Sequence, residues 1–275
     1  MNITERQLQI LEALARFKYL TAQQLALIAG IKHSSNTSRL LKDLNERKKP
    51  LVDYKGFGII PVHGRLSRVF FLTKYGKEMI VEALGLSPES VKYVQNKHSL
   101  FQRDYFHRCD TVNFNIYFQK WLEANGYDLG FFTYYFDKTG SNRNQTGEIA
   151  NSIQVRDFKI VPDGIGLFST PERAFLFLFE QHNGKDKKRA TAQIMAHCVA
   201  ISEGAASDKY GIQSATRVYY VFESESCLKS TLSELQQLPE YENFQKFFLF
   251  KSKDSLESDF FGSWLYASGE VSSFV

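Results

Sequence analysis

Apolar residues in the first fifty positions recur every three or four, and each run begins at a capping residue. Thr4 opens a first helix, with Leu8, Leu11, Leu14 and Ala15 at helical spacing. In "YLTAQQLALIAG" Thr21 is the N-cap of a second helix, Leu25 and Ile28 face inward, and Gly30 terminates it. "KHSSNTSRLLKDLNERKKP" starts at a Ser/Asn cluster and runs as a third helix with Leu40, Leu41 and Leu44 on its buried side, and Pro50 prevents its continuation. The pattern then changes to β-rich: "LVDYKGFGIIPV" and "SRVFFLTKYG" flank a basic tip, "HGRL".

Periodicity fades in "GLSPESVKYVQNKHSLFQRD", which places a domain boundary near residues 86–96 and predicts domains over 1–90 and 97–275. A long helix is expected from about Ser99 to Asn125, with Tyr105, Cys109, Val112, Ile116, Phe118 and Leu122 in its apolar stripe and Gly126 as its stop. "YDLGFFTYYF" reads as a strand, and "DKTGSNRNQTGEIANSIQVRD" as a polar loop or hairpin. A hairpin follows in "KIVPDGIGLFSTPERAFLFLFEQH", where the unbroken apolar run Phe175–Phe179 marks a strand buried on both faces. "RATAQIMAHCVAISEG" is an amphipathic helix, "TRVYYVFES" a strand, "LKSTLSELQQL" a helix and "FFLF" a final strand. The order α-β-β-β-α-β-α-β implies an α+β chain whose second domain is a mixed sheet with helices on both faces.

Composition narrows the class. With 43% hydrophobic and 23% charged residues, 24 Phe and 14 Tyr, the 275-residue chain can bury a large core. No apolar window approaches membrane-spanning length, so no membrane partner is expected. The start "MNITERQLQI" reads as a helix and not as a signal peptide. Cys109, Cys198 and Cys227 are widely spaced, which suits a reducing cytoplasm and argues against a disulfide framework or a zinc–thiolate site. The charge is uneven: residues 1–95 hold 15 Lys/Arg against 8 Asp/Glu, whereas the rest holds 19 against 22. The basic excess points to a polyanionic partner for the first third.

The candidate chemistry lies in the hairpin. A tight turn centred between Pro171 and Glu172 sets Asp163 opposite Glu180. Facing residues of this kind have Cβ atoms about 4.5–5.5 Å apart. Two carboxylates so close repel, and one takes up a proton unless a cation lies between them. Mg²⁺ or Mn²⁺ would relieve the repulsion; the plainer alternative is two acids at the wet end of a sheet. His182 shares Glu180's side of the strand and suits a ligand, water-orienting or acid/base role. On the long helix His107, Asp110 and Thr111 lie within one turn, where a packed histidine with a local hydrogen bond stands against a ligand. Gln193 and His197 share a helix face, and Lys185, Lys187 and Lys188 lie in the loop "KDKKRA".

Three resemblances follow from these residues. Three helices followed by a β-hairpin over residues 3–85 resemble the winged helix-turn-helix family, which implies duplex DNA binding. In that family the third helix enters the major groove; here this implies base and phosphate contacts from Ser34, Ser35, Asn36, Ser38 and Arg39, phosphate neutralisation by Lys42, Lys48 and Lys49, and wing contacts from Arg65 and Arg68. A basic face for a protein partner is the alternative. "VPD" in one strand and Glu180-x-His182 at the end of the next resemble the PD-(D/E)XK nucleases over roughly residues 99–250. That resemblance implies a restriction-endonuclease-like fold and cleavage with Asp163 and Glu180 as metal ligands. His182 stands where that family has Lys, whose part in activating the nucleophile would fall to Lys185, Lys187 or Lys188 in the next loop or to Gln193 on the helix. Together the two parts resemble the replication-relaxation family, which includes the MobC-type plasmid relaxases. His107, Val112, Asn113, Pro162, Asp163, Glu180 and Gly184 fit its pattern; His182, Asn183 and Lys185 do not.

Two functions are expected from this reading. One is a metal-dependent nickase acting at a plasmid or mobile-element origin, on double-stranded DNA and on single-stranded DNA exposed there, with relaxosome or replication proteins as partners. The other is a non-catalytic replication initiator, relaxosome accessory or transcriptional regulator, in which the second domain serves as a scaffold or homodimer interface.

Overall fold

The computed structural model describes residues 3–88, 91, 93–94, 104–136, 149–213 and 216–275. The chain divides into two compact units, Met1–Tyr105 and Phe106–Val275. Much of the anticipated connector, and the expected helix start at Ser99, lie outside the described residues, as does the 137–148 part of the polar loop. Among the described residues no helix is long and apolar enough to cross a membrane.

In the first unit each early helix is set by its cap. The Thr4 hydroxyl accepts from the Gln7 N–H and the Gln7 side chain accepts from the Thr4 N–H, both at 3.2 Å, which starts α1 (Glu5–Phe17). After β1 (Leu20–Thr21), Thr21 and Gln24 form the same reciprocal box at the start of α2 (Ala22–Ile28). The third helix, α3 (Ser34–Asn45), has no side-chain cap from its N-cap residue His33. Strands β2 (Val52–Lys55), β3 (Ile59–Ile60), β4 (Gly64–Arg65) and β5 (Val69–Leu72) follow. β5 lies between β1 and β2, antiparallel to both, while β3 and β4 form a separate two-stranded hairpin carrying the basic tip.

Two readings of this unit need correction. The buried face of α1 is Ile10, Leu11, Leu14 and Phe17, with Leu8 and Ala15 only half-buried, and Leu40 of α3 is likewise half-buried. A fourth helix, α4 (Lys74–Leu84), follows β5 and packs on α1. The Thr73 hydroxyl caps it by accepting from the Gly76 N–H at 3.1 Å, and Gly85 ends it in the left-handed conformation. Gly76 is required there, because a Cβ would lie 2.0 Å from the Leu51 carbonyl oxygen.

The second unit is a mixed seven-stranded sheet with helices on both faces. Its elements are α5 (Tyr105–Asn125), β6 (Asp128–Tyr134), the small hairpin β7 (Ile153–Val155) and β8 (Phe158–Ile160), β9 (Gly164–Ser169), β10 (Ala174–His182), α6 (Lys187–Ser202), α7 (Ala205–Tyr210), β11 (Arg217–Phe222), α8 (Glu225–Leu235), β12 (Phe248–Ser252), α9 (Lys253–Ser258), β13 (Trp264–Leu265) and β14 (Val271–Ser272). Strand order is β14-β13-β12-β11-β10-β9-β6. β10, β11 and β12 run parallel, joined through α6 and α8; the remaining neighbours are antiparallel. The strand expected to be last, β12, is therefore interior, and α7, α9, β13 and β14 were not anticipated.

Alternation along β10 assigns its two faces. Phe177 and Phe179 pack with Phe114, Phe118 and Trp121 of α5 and with Phe274 near the C-terminus. Leu176 and Leu178 pack on the opposite face with Ala190, Ile194 and Cys198 of α6 and Leu228 and Leu232 of α8. The aromatic layer is dense: the rings of Phe114 and Phe179 stack with centroids 3.8 Å apart. Room for it depends on β9, since a Cβ at Gly166 would lie 2.3 Å from the Phe177 ring. α5 is buried nearly all round, so Phe114 and Trp121 belong to the core although a single apolar stripe did not include them.

Truncating Phe114 to Ala should therefore cost about 3–5 kcal/mol, as for other buried aromatics. Urea unfolding followed by circular dichroism measures it; a loss below about 1 kcal/mol would contradict this packing.

Candidate functional site

The acids meet where β9 begins and β10 ends. Phe179 pairs with Gly164 in the antiparallel ladder, so the next step of the same register sets Glu180 across from Asp163. Alternation turns Glu180 towards α6, the face opposite the aromatic layer. Both acids are buried, Asp163 at 8% exposure and Glu180 at 2%.

Each carboxylate is held by a histidine from a different helix. His107 Nε2 lies 2.8 Å from Asp163 Oδ1, and the other Asp163 oxygen accepts from the Gln181 N–H at 2.8 Å. His197 Nε2 lies 2.6 Å from Glu180 Oε1, with His197 itself 1% exposed. Gln193, one turn before His197 on α6, and the Asp163 N–H favour the charged form of Glu180, while the Asp163 carboxyl opposes it. Burial first, then the neighbouring Asp163, raises Glu180 well above the usual carboxylate range. Burial alone pushes His197 down to about 3. Both shifts favour the neutral forms of this close Glu180–His197 pair.

Three buried polar atoms near Glu180 lack a hydrogen-bond partner: His182 Nε2, His197 Nδ1 and the Tyr220 hydroxyl. Tyr220 pairs with Glu180 across β10 and β11, and burial together with the two acids raises its pKa. Such unmatched polar atoms mark surroundings suited to water or a hydrated ligand. His182 lies on Glu180's side of β10, but its surroundings are Asp186, Arg189 and Phe222 rather than the acids; burial, then the positive Arg189, lowers its pKa.

Asp163, Glu180, His107, Gln193 and His197 are thus brought together, with His182 at the margin. Lys185, before α6, and Lys188, in its first turn, are exposed, with no ion pair to a carboxylate among the described residues, and Lys187 binds Glu234 at 3.3 Å. A second polar cluster escaped the sequence reading. Lys253, directly after β12, binds Asp110 of α5 at 2.7 and 2.8 Å, and Asn183 donates to Asp110 at 3.2 Å. Gln181 then donates to Asn183 at 2.8 Å. Only the spacing of His107 and Asp110 on one helix hinted at it.

The donor set suits a hard divalent ion in one respect and limits it in another. Mg²⁺ is commonly bound by one or two carboxylates, with water and phosphate oxygens completing its shell. Asp163 and Glu180 supply that pair, and a cation between them would offset their repulsion. Among the described residues no group of three or more His, Cys, Asp and Glu side chains is arranged to hold a metal. Among the described residues the side chains on offer here are the acid pair.

In the first unit Ser34, Ser35, Asn36, Ser38 and Arg39 are all exposed on α3, and Lys42, Lys48, Lys49, Arg65 and Arg68 are exposed as well. Lys42 pairs with Glu46 at 3.8 Å, and the Arg68 guanidinium lies 4.3 Å from the Tyr54 ring centroid. Ser38, Lys42, Tyr54 and Arg68 line one groove of about 410 Å³.

No known family model matches the chain, and no curated protein matches it. Among solved structures, the restriction endonuclease FokI bound to DNA is similar at a TM-score of 0.30 and 12% identity, over 92% of this chain and 44% of that one. The chain spans less than half the length of that protein.

The titrations predict a pH signature. A raised Glu180 favours the fold below its unfolded value near 4.5 and loses that contribution as pH rises through the folded value. The depressed His197 acts oppositely, withdrawing stability as pH falls below 6.5. As pH rises above about 4.5 the two slopes oppose each other. Over that range the melting temperature of wild type should fall more, or rise less, with increasing pH than that of Glu180→Gln; equal slopes in the two proteins would contradict the assignment.

Proposed function

We propose that the chain is a DNA-processing protein in which the first unit docks on duplex DNA and the second cleaves one strand with a divalent metal held by Asp163 and Glu180. The observation that carries this reading is the meeting of two buried carboxylates that need a proton or a cation between them. Bound there, Mg²⁺ or Mn²⁺ would supply Lewis-acid stabilisation of the phosphate and of the leaving oxygen. The chain's own groups have distinct parts. Gln193 and His197 fix Glu180 from α6. His107 fixes Asp163 from α5 and, with its side chain 23% exposed, forms the more open side of the site. His182, neutral at working pH, is the candidate for orienting the attacking water. The lysine of the PD-(D/E)XK pattern has no counterpart at this position.

The first unit supports the DNA-binding half. Its element order, with the exposed Ser34, Ser35, Asn36, Ser38 and Arg39 on α3 and Arg65 on the β3–β4 hairpin, fits a winged helix-turn-helix with α3 as the reading helix. Its excess of seven positive charges over residues 1–95 favours a polyanion. The similarity in pattern to the replication-relaxation family, including the MobC-type relaxases, extends the reading to strand nicking or replication control at a plasmid origin in the cytoplasm. Relaxosome or replication proteins would then be its partners.

A second reading has its own observation. Glu180 is sealed at 2% exposure and engaged by His197, an arrangement that also suits a stable polar core. The protein would then bind DNA without cutting it, as an initiator, accessory or regulator, with the second unit as a scaffold or homodimer interface.

Incubating the full chain with Mg²⁺ or Mn²⁺ and supercoiled plasmid carrying the DNA that flanks its coding region should yield nicked circles. A metal contribution of several kcal/mol makes Asp163→Ala and Glu180→Ala each slower by at least ~100-fold. Nicking that survives both substitutions excludes this site; specific retention of the DNA without nicking supports the second reading. Arg39→Ala should weaken retention and lower the salt slope by about one if Arg39 contacts a phosphate.

A further inference from the structure

Arg108 follows His107 in the first turn of α5 and is 5% exposed. Its Nε donates to the Tyr135 hydroxyl at 3.0 Å, and its guanidinium lies 5.4 and 5.5 Å from the ring centroids of Tyr135 and Phe136. Its Nη1 is buried with no hydrogen-bond partner. No carboxylate among the described residues pairs with this cation. Asp163 and Asp110 are engaged elsewhere: Asp163 by His107 and the Gln181 N–H, Asp110 by Lys253 and Asn183.

A buried, unpaired guanidinium is costly, and proteins ordinarily supply its counter-ion. Its planar fork matches the oxygens of a phosphate, and the first turn of a 21-residue helix adds positive potential. Hydrogen bonds and ring contacts connect it to the acid pair. The Tyr135 N–H donates to the Asp163 carbonyl at 3.0 Å, and the Tyr135 ring meets the His107 ring edge-on with centroids 5.5 Å apart.

We propose that Arg108, held by Tyr135, is a phosphate-binding residue beside Asp163 and Glu180, and that its ligand is a backbone phosphate of a nucleic-acid strand. The identity of that ligand rests on the DNA-processing reading; the existence of an oxyanion site does not. Nη1 donates to a phosphate oxygen, Tyr135 and Phe136 keep the guanidinium plane fixed, and a strand bound there runs past the acid pair.

The test uses the full chain and two variants, Arg108→Met, which keeps length and apolar contact, and Arg108→Lys, which keeps charge without the fork. Melting is compared in inorganic phosphate and in chloride at equal ionic strength. Wild type should gain roughly 3–5 °C, saturably, at a tenfold excess of phosphate over its dissociation constant, and Arg108→Met should lack that saturable gain. In chloride Arg108→Met should melt no lower than wild type, because an unmatched buried charge has been removed. Fluorescence anisotropy with a labelled single-stranded oligonucleotide and its duplex should show both variants binding about tenfold to a hundredfold more weakly. Arg108→Met melting below wild type in chloride while keeping the phosphate response would overturn the proposal and make Arg108 a structural anchor for Tyr135. An Arg108-dependent phosphate response with no oligonucleotide effect would overturn the strand assignment and leave a site for free phosphate. Asp163→Asn, run alongside, separates the two ideas. A phosphate response kept in that variant, with no nicking by any form, refutes the cleavage reading and supports this site.

Discussion

Asp163 and Glu180 are far apart in sequence and are forced together by the register of β9 against β10. Their meeting constrains everything near them. Two carboxylates facing each other inside a sheet repel, and burial with the neighbouring Asp163 raises Glu180 well above the usual carboxylate range. Because the pair stands where β9 begins and β10 ends, helices on opposite faces of the sheet can both reach it. α5 brings His107 to one acid and α6 brings Gln193 and His197 to the other. The aromatic layer against α5 and the aliphatic layer against α6 hold those helices in place, so the packing on both faces of the sheet serves one polar contact.

The same end of the sheet gathers the rest of the polar chemistry. β10, β11 and β12 are parallel, and the residues just past their carboxyl ends include Asn183, Glu223 and Lys253. Lys253 binds Asp110 of α5, Asn183 joins them, and the Gly184 N–H donates to Glu223 at 3.2 Å. In open sheets of this kind ligands gather outside the carboxyl ends of the strands. Asp110 and Lys253 are 143 positions apart, and their ion pair ties the long helix to the end of β12.

What the sequence disclosed follows from how local each signal is. The opposition of Asp163 and Glu180 was legible because a short turn fixes hairpin register arithmetically. The capping boxes at Thr4 and Thr21 were legible in part, since each involves residues three apart. The partners of the acids were not: His107 and His197 come from helices whose docking no periodicity encodes. The buried face of α1 was misplaced by a fraction of a turn because Leu8 and Ala15 are apolar yet lie at the margin. α4 was overlooked although Thr73 and Gly85 bracket it, because the Lys and Glu residues within it mask a short apolar stripe. β13 and β14 are two residues each, too brief to show alternation. Arg108 gave no signal, since in α5 even polar positions are buried.

The central proposal is that a proton lies between the two acids and that a cation can replace it. Infrared difference spectroscopy of wild type against Glu180→Gln at neutral pH tests it most directly. The account predicts a protonated-carboxyl stretch in wild type that the variant lacks and that Mn²⁺ abolishes with release of about one proton. A wild-type spectrum showing only ionised carboxylates, unchanged by Mn²⁺, would contradict it.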